Sequence, residues 1–273
     1  MEKDIRNIAF DIVILAGQSN AEGNGVSEPK RQYHNDGVYE LTDNSLTIYG
    51  YGILDYQKQN SFKVEYASYR KSDYHILQDI SETFADLYIQ KGYLEKGRKI
   101  LIVKAAVGGT GFSLRQWGVG NPLHHRLKDM VDYALSLNKS NRLVAFLWHQ
   151  GEHDAFEQPS LNKEERFAFY YDSFKGMMED ILATYNAKGL PIVAGEMVDS
   201  WANQYKDKSQ AIEEATVSVL KDLGHGEMAS SSGLLSNKDT FPWSGDDIHF
   251  SADSIEEFGH RYFACFERIR SKE

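Results

Sequence analysis

A serine directly after a run of β-branched residues, in Gly17-Gln18-Ser19-Asn20, is the first group along the chain that could do covalent chemistry. A serine hydroxyl is a weak nucleophile and needs a base within hydrogen-bond reach. Asp246-Asp247-Ile248-His249 supplies a candidate near the other end. An aspartate three residues before a histidine can meet it across one turn, carboxylate against Nδ1, leaving Nε2 to take the serine proton. Asp247 competes by adjacency, but the spacing favours Asp246. Each half is weak alone, because serines cap turns and surface turns hold many aspartate–histidine pairs. The Gly-x-Ser-x-Gly elbow of α/β-hydrolases is a different pattern, which disfavours that family.

Acyl transfer also needs donors aimed at the oxyanion of its tetrahedral intermediate. Residues 105–110, Ala-Ala-Val-Gly-Gly-Thr, give a bare backbone, and 148–154, Trp-His-Gln-Gly-Glu-His-Asp, put a dense polar run after an apolar one. The Ser19 N–H, the Gly109 N–H and the Gln150 side-chain amide are the candidate donors. Gln18, Asn20, Thr110, His149 and Glu152 are expected to support the site or contact substrate. Trp117 could stack on a sugar ring, with a core position about as well founded. His149, Glu152, His153 and Asp154 could be read as a metal cluster. Two histidines four apart share a metal on a helix, however, and this segment follows a strand, so no metal and no cofactor is expected. His124-His125 reads as structural or solvated. Asp11, inside an apolar run, calls for a buried partner or an edge position.

These residues need elements to hold them. Apolar runs at 8–15, 99–104, 143–148 and 191–194, and a weaker one at 227–231, read as five strands. Helical patterns fall at 76–90, 123–137, 163–188 and 209–223. A last helix begins after Ser251, with Ile255, Phe258, Tyr262, Phe263, Phe266 and Ile269 on one face. Such alternation predicts an α/β fold, a mostly parallel sheet with helices on both faces. Ligand sites in such sheets lie beyond the carboxyl ends of the strands. Ser19, 105–110 and 148–154 all follow strands. Residues 26–74 lack clear periodicity and read as a long insertion near the cleft. With no repeat or linker, the chain reads as one domain over 1–273.

Four blocks together carry a resemblance: Gly17-Gln18-Ser19-Asn20, Gly108-Gly109-Thr110, Trp148-His149-Gln150-Gly151-Glu152 and Asp246-Asp247-Ile248-His249. In this order the sequence resembles the SGNH hydrolases, in the branch of sialate O-acetylesterases and carbohydrate esterase family 6, the acetylxylan esterase-like enzymes. The resemblance implies a flavodoxin-like three-layer α/β/α sandwich and metal-free deacetylation of carbohydrate esters. It also implies that Gln150 stands where the wider superfamily uses an asparagine in the oxyanion hole. His153 departs from the branch's usual serine, which bears on substrate preference. A general short-chain esterase, lipase or thioesterase is the nearest alternative, and a silent carbohydrate-binding protein on the same fold another.

Composition narrows the partners. The 273 residues carry a net charge of −10, which argues against nucleic acid and against an anionic membrane surface. The single cysteine, Cys265, lies on an apolar helix face and is expected to be buried. No segment reaches the roughly 20 apolar residues of a membrane span, and the chain as given reads as cytoplasmic. The expected partner is an acetylated oligosaccharide or another small ester. Nothing in the sequence fixes the oligomeric state.

Overall fold

The computed structural model describes residues 4–27, 32–43, 47–49, 53–55, 62–71, 76–157 and 160–272. Its centre is a sheet of seven strands: β1 (Ala9–Gly17), β2 (Val38–Asp43), β3 (Phe62–Tyr66), β4 (Arg98–Lys104), β5 (Arg142–His149), β6 (Ile192–Gly195) and β7 (Gly226–Ala229). Their order is β7-β6-β5-β1-β4-β2-β3, parallel throughout except for the antiparallel β2–β3 pair at one edge. β1 lies in the middle, and Ile12, Val13, Ile14 and Leu15 are completely buried. A strand covered on both faces is apolar at consecutive positions rather than alternating, which is why this run is legible in sequence.

The nine α-helices of the described residues are α1 (Ser19–Glu22), α2 (Ser81–Gln90), α3 (Pro122–Ser136), α4 (Glu152–Phe156), α5 (Lys163–Thr184), α6 (Asp199–Gln204), α7 (Lys206–Leu223), α8 (Asn237–Thr240) and α9 (Ala252–Arg270). They flank the sheet in a three-layer α/β/α sandwich. α2 lies on α9, where Phe84 meets Phe263 and Phe266 edge-to-face at 5.4 Å, and α5 lies on α7. The Ser251 hydroxyl caps α9 by accepting the Ser254 N–H, and Cys265 is buried on its inner face. Among the described residues no helix is long and apolar enough to cross a membrane.

Two expectations change. The sheet has seven strands rather than five, because residues 26–74 are not a mere insertion: they contribute β2 and β3. Residues 28–31, 44–46, 50–52, 56–61 and 72–75 of that stretch lie outside the described residues. The helix expected at 76–90 begins at Ser81. Ile76–Gln78 forms instead a short strand paired with Gly25–Ser27. Asp79 then accepts the Ser81 N–H at 2.7 Å and starts the helix.

Candidate active site

The site lies beyond the carboxyl ends of β1, β4, β5 and β6. Gly17 ends β1 at φ +129°, and a Cβ there would stand 2.0 Å from the His149 carbonyl oxygen. Only glycine fits so close an approach of two backbones. The chain then turns into α1, with Ser19 at its first position and the Gln18 N–H donating to the His149 carbonyl at 2.8 Å.

His249 arrives from the segment between α8 and α9. Its Nε2 lies 2.8 Å from Ser19 Oγ, and its Nδ1 lies 2.9 and 3.0 Å from the two oxygens of Asp246. Asp246 Oδ1 also accepts the His249 N–H at 3.2 Å. The expected i, i+3 meeting across one turn is therefore the observed geometry. Asp247 does not orient the histidine: its Oδ2 takes Gln204 Nε2 at 3.0 Å and Lys238 Nζ at 3.4 Å. Burial pushes the Asp246 carboxyl up, but the bonds and charge of His249 and the Asn237 amide outweigh it and hold the group below the usual carboxylate range.

A chain of buried amides and carboxylates fixes these parts. The Asn20 side chain donates to the Ile248 carbonyl at 3.1 Å and accepts the Phe250 N–H at 3.1 Å, bracketing His249 on both sides. It also donates to Glu152 Oε1 at 2.7 Å, which lies 3.0 Å from His149 Nε2. Burial raises the Glu152 carboxyl, yet His149 and Asn20 together keep it below its ordinary value. Asn237, completely buried, donates to Asp246 Oδ2 and to the Asn24 carbonyl, both at 2.9 Å. Sequence reasoning missed it. The signal was there, since Ser236-Asn237-Lys238-Asp239 forms a capping box just before Asp246.

The expected supports divide. Gln18 lines the cleft, and its Oε1 accepts from the His153 N–H at 3.2 Å, Gln150 Nε2 at 3.2 Å and the Gly151 N–H at 3.4 Å. Gln150 itself is 4 % exposed. Its Nε2 donates to Asp154 at 2.8 Å, the Thr110 carbonyl at 3.1 Å and Gln18, while Tyr170 donates to its Oε1 at 2.9 Å. An amide nitrogen has two protons, both taken up here, so Gln150 holds loops together rather than facing the cleft. Of the two readings of Trp117, the core one holds. It is 1 % exposed, lies edge-to-face on Trp148 at 5.2 Å and donates to Thr110 Oγ1 at 2.9 Å, a core position with no sugar-facing surface. Thr110 is correspondingly buried and donates to the Val107 carbonyl. The 148–154 run also contains a helix, α4, that the sequence reading placed after a strand without one. His124, read as structural or solvated, is buried and lies 2.9 Å from Asp180.

The cleft around Ser19 has a volume of about 510 Å³. Gly108 and Gly109 form one side of it, and a Cβ on Gly108 would meet Glu22 Oε2 at 2.7 Å and Ser19 Cβ at 3.5 Å. The Gly108 N–H is taken by Glu22 at 2.8 Å. Gly109 has φ +69° and open space around it. Residues not anticipated also line the cleft: Glu22, Asn24, Phe156, Trp201, Tyr205 and Asp247. A second cavity of about 540 Å³ lies beside it and shares Glu22.

Residues 9–268 match the family described as "carbohydrate esterase, sialic acid-specific acetylesterase". Among solved structures, the chain is similar to NanS, with a TM-score of 0.72 and 16% identity over 97% of this chain and 98% of that one. An Arabidopsis thaliana protein gives 0.68 and 16% over 95% and 98%. A structure titled a novel carbohydrate acetylesterase from Xanthomonas citri gives 0.60 and 15%, over 96% of this chain and 57% of that one. No curated protein sequence matches the chain.

Proposed function

Because the chain belongs to the sialic acid-specific acetylesterase family of carbohydrate esterases, on the SGNH hydrolase fold, we propose that it removes O-acetyl groups from sugars through an acetyl-serine intermediate. The observation that carries this reading is the line Ser19 Oγ–His249 Nε2, 2.8 Å, continued from Nδ1 to Asp246 at 2.9 Å. That is the hydrogen-bonded order a serine nucleophile, its base and the base's orienting carboxylate require.

In this mechanism His249 takes the Ser19 proton as Oγ bonds to the acetyl carbon. The carbonyl electron pair moves onto oxygen. Collapse of the intermediate breaks the bond to the sugar oxygen, which leaves with the proton held by His249. Water, deprotonated by His249, then releases acetate and restores Ser19. The oxyanion is received by the Ser19 N–H, in the first turn of α1 where a helix leaves its N–H groups unbonded, and by the Gly109 N–H. Gln18 supplies the third donor in place of Gln150. Its Oε1 is held by three donors, which leaves its Nε2 as the group that Gln18, lining the cleft, can offer.

Acetate release from an acetylated sugar and from an aryl acetate tests the reading. Ser19→Ala is expected to be inactive with its fold intact, and full activity in that variant would sink the assignment. Gln18→Ala should lose on the order of 10²–10³ in turnover, the usual consequence of removing one oxyanion donor.

A further inference from the structure

The cleft carries a second set of groups with no part in the acyl chemistry. Phe156 ends α4, Trp201 lies in α6, and Tyr205 joins α6 to α7, so three elements following β5 and β6 converge on one place. The Trp201 and Tyr205 rings are 4.9 Å apart, and Phe156 meets Tyr205 edge-to-face at 5.9 Å. Phe156 is 55 % exposed, whereas Trp201, 5 % exposed, packs behind Tyr205. Scattered exposed apolar side chains need no explanation, but an aromatic cluster lining the cleft of the nucleophile has the make-up of a ligand wall.

Among the polar groups of this cleft are carboxylates. Glu22 and Asp247 line it along with Ser19 and His249. The cations nearby are already engaged: Lys238 with Asp247 at 3.4 Å, and, in the adjoining cavity, Lys104 with Glu82 at 2.6 Å and Arg126 with Asp43 at 2.9 Å. Carboxylates accept hydrogen bonds from hydroxyls, and aromatic faces receive the C–H surface of a sugar ring. A ligand carboxylate entering the same space meets like charge, and such charges repel.

We propose that Phe156 and Tyr205, backed by the buried Trp201, form the face on which the ring of the leaving sugar stacks, with Glu22 and Asp247 accepting its hydroxyls, so that the site takes neutral acetylated sugars and discriminates against sugars bearing a carboxylate. The proposal rests on the serine esterase reading above. It assigns this chain a substrate charge opposite in preference to the sialic acid in its family's description.

The test compares kcat/KM for acetate release from three esters: a mono-O-acetylated methyl glycoside, an O-acetylated sialic acid, and the methyl ester of that sialic acid, whose charge is removed. The neutral glycoside and the methyl ester are each expected to exceed the free acid by about tenfold or more, a difference of about 1.4 kcal/mol. Asp247→Asn should narrow the gap between free acid and methyl ester. Turnover of the free acid equal to or better than its methyl ester overturns the charge preference. Phe156→Ala and Tyr205→Ala should raise KM for the glycoside relative to ethyl acetate, whose alcohol has no ring. An unchanged ratio in both variants overturns the stacking face. Ser19→Ala separates the two readings, because retained acetate release from all esters in that variant refutes the serine mechanism without touching the preference.

Discussion

At the scale of single residues, the chemistry that reads most directly is short-range. Ser19 follows a strand, and Asp246 stands three residues before His249; both relations survive folding because each is settled within one turn. The residues that misled were those whose side-chain direction depends on distant partners. Gln150 turns inward because Tyr170 from α5, Asp154 from α4 and the Thr110 carbonyl meet it there, and no spacing in the sequence announces that convergence. Trp117 could be read as a platform or as a core residue and is the latter, whereas Trp201 and Tyr205 line the cleft from a segment with no motif. Glu213 was equally silent. On α7, burial pushes its carboxyl up to about 7, against the pull of the Met197 N–H it accepts and with the help of Glu196, Glu152 and Asp199. The folded protein therefore holds a proton that the unfolded chain gives up near 4.5, the ordinary value of a glutamate. That contribution is fully present below this value and is lost as pH rises through about 7. It amounts to roughly 3 kcal/mol. Glu213→Gln keeps the acceptor for Met197 and is expected to be the more stable protein at about pH 8, and close to wild type at about pH 4.5. Denaturant midpoints at the two pH values check this, and a difference independent of pH would refute it.

At the scale of elements, visibility depended on which faces are buried. β1, β4 and β5 are covered on both sides and appear as continuous apolar runs. β2 was missed because Glu40, Thr42 and Asp43 interrupt it; Lys104 stands 4.0 Å from Glu40, and Arg126 bonds Asp43, so these charges are tolerated beside the sheet. β3 is an edge strand whose residues are half-buried or exposed, which leaves a weak pattern. Turn glycines divide just as sharply. Gly17→Ala places a methyl group against the β5 backbone at 2.0 Å and must displace the end of β1, from which the chain turns to Ser19. We expect a loss of more than about 3 kcal/mol, with little folded enzyme recovered. Gly109→Ala meets nothing within 4 Å and carries only the left-handed backbone penalty, about 1–2 kcal/mol. Unfolding curves and soluble yield of the two variants should differ accordingly, and equal stability would show that the Gly17 approach is not rigid.

At the scale of the whole molecule, the sheet separates stability from chemistry. Its carboxyl end holds the cleft, and its amino end holds a buried charge cluster around Asp11, which is completely buried in β1. Asp11 takes Arg98 Nε at 2.6 Å from β4, Arg142 Nε at 2.8 Å from β5 and the Tyr88 hydroxyl at 3.0 Å from α2. One carboxylate thus joins the three central strands to a helix. Removing it leaves the Arg98 guanidinium, only 11 % exposed, without its counter-charge. Breaking such a pair typically costs about 3–5 kcal/mol, and Asp11→Ala should lower the denaturant midpoint by a corresponding amount. Six residue steps of extended strand, about 20 Å, separate Asp11 from Gly17. The fraction that folds is therefore expected to hydrolyse an aryl acetate with kcat/KM within about twofold of wild type, because a change outside the packed neighbourhood of the site adds independently. A large fall in kcat/KM at undiminished stability would mean that the two ends of β1 are coupled, and that the cleft is positioned by the cluster beneath the sheet as well as by Gly17, Asn20 and Asn237.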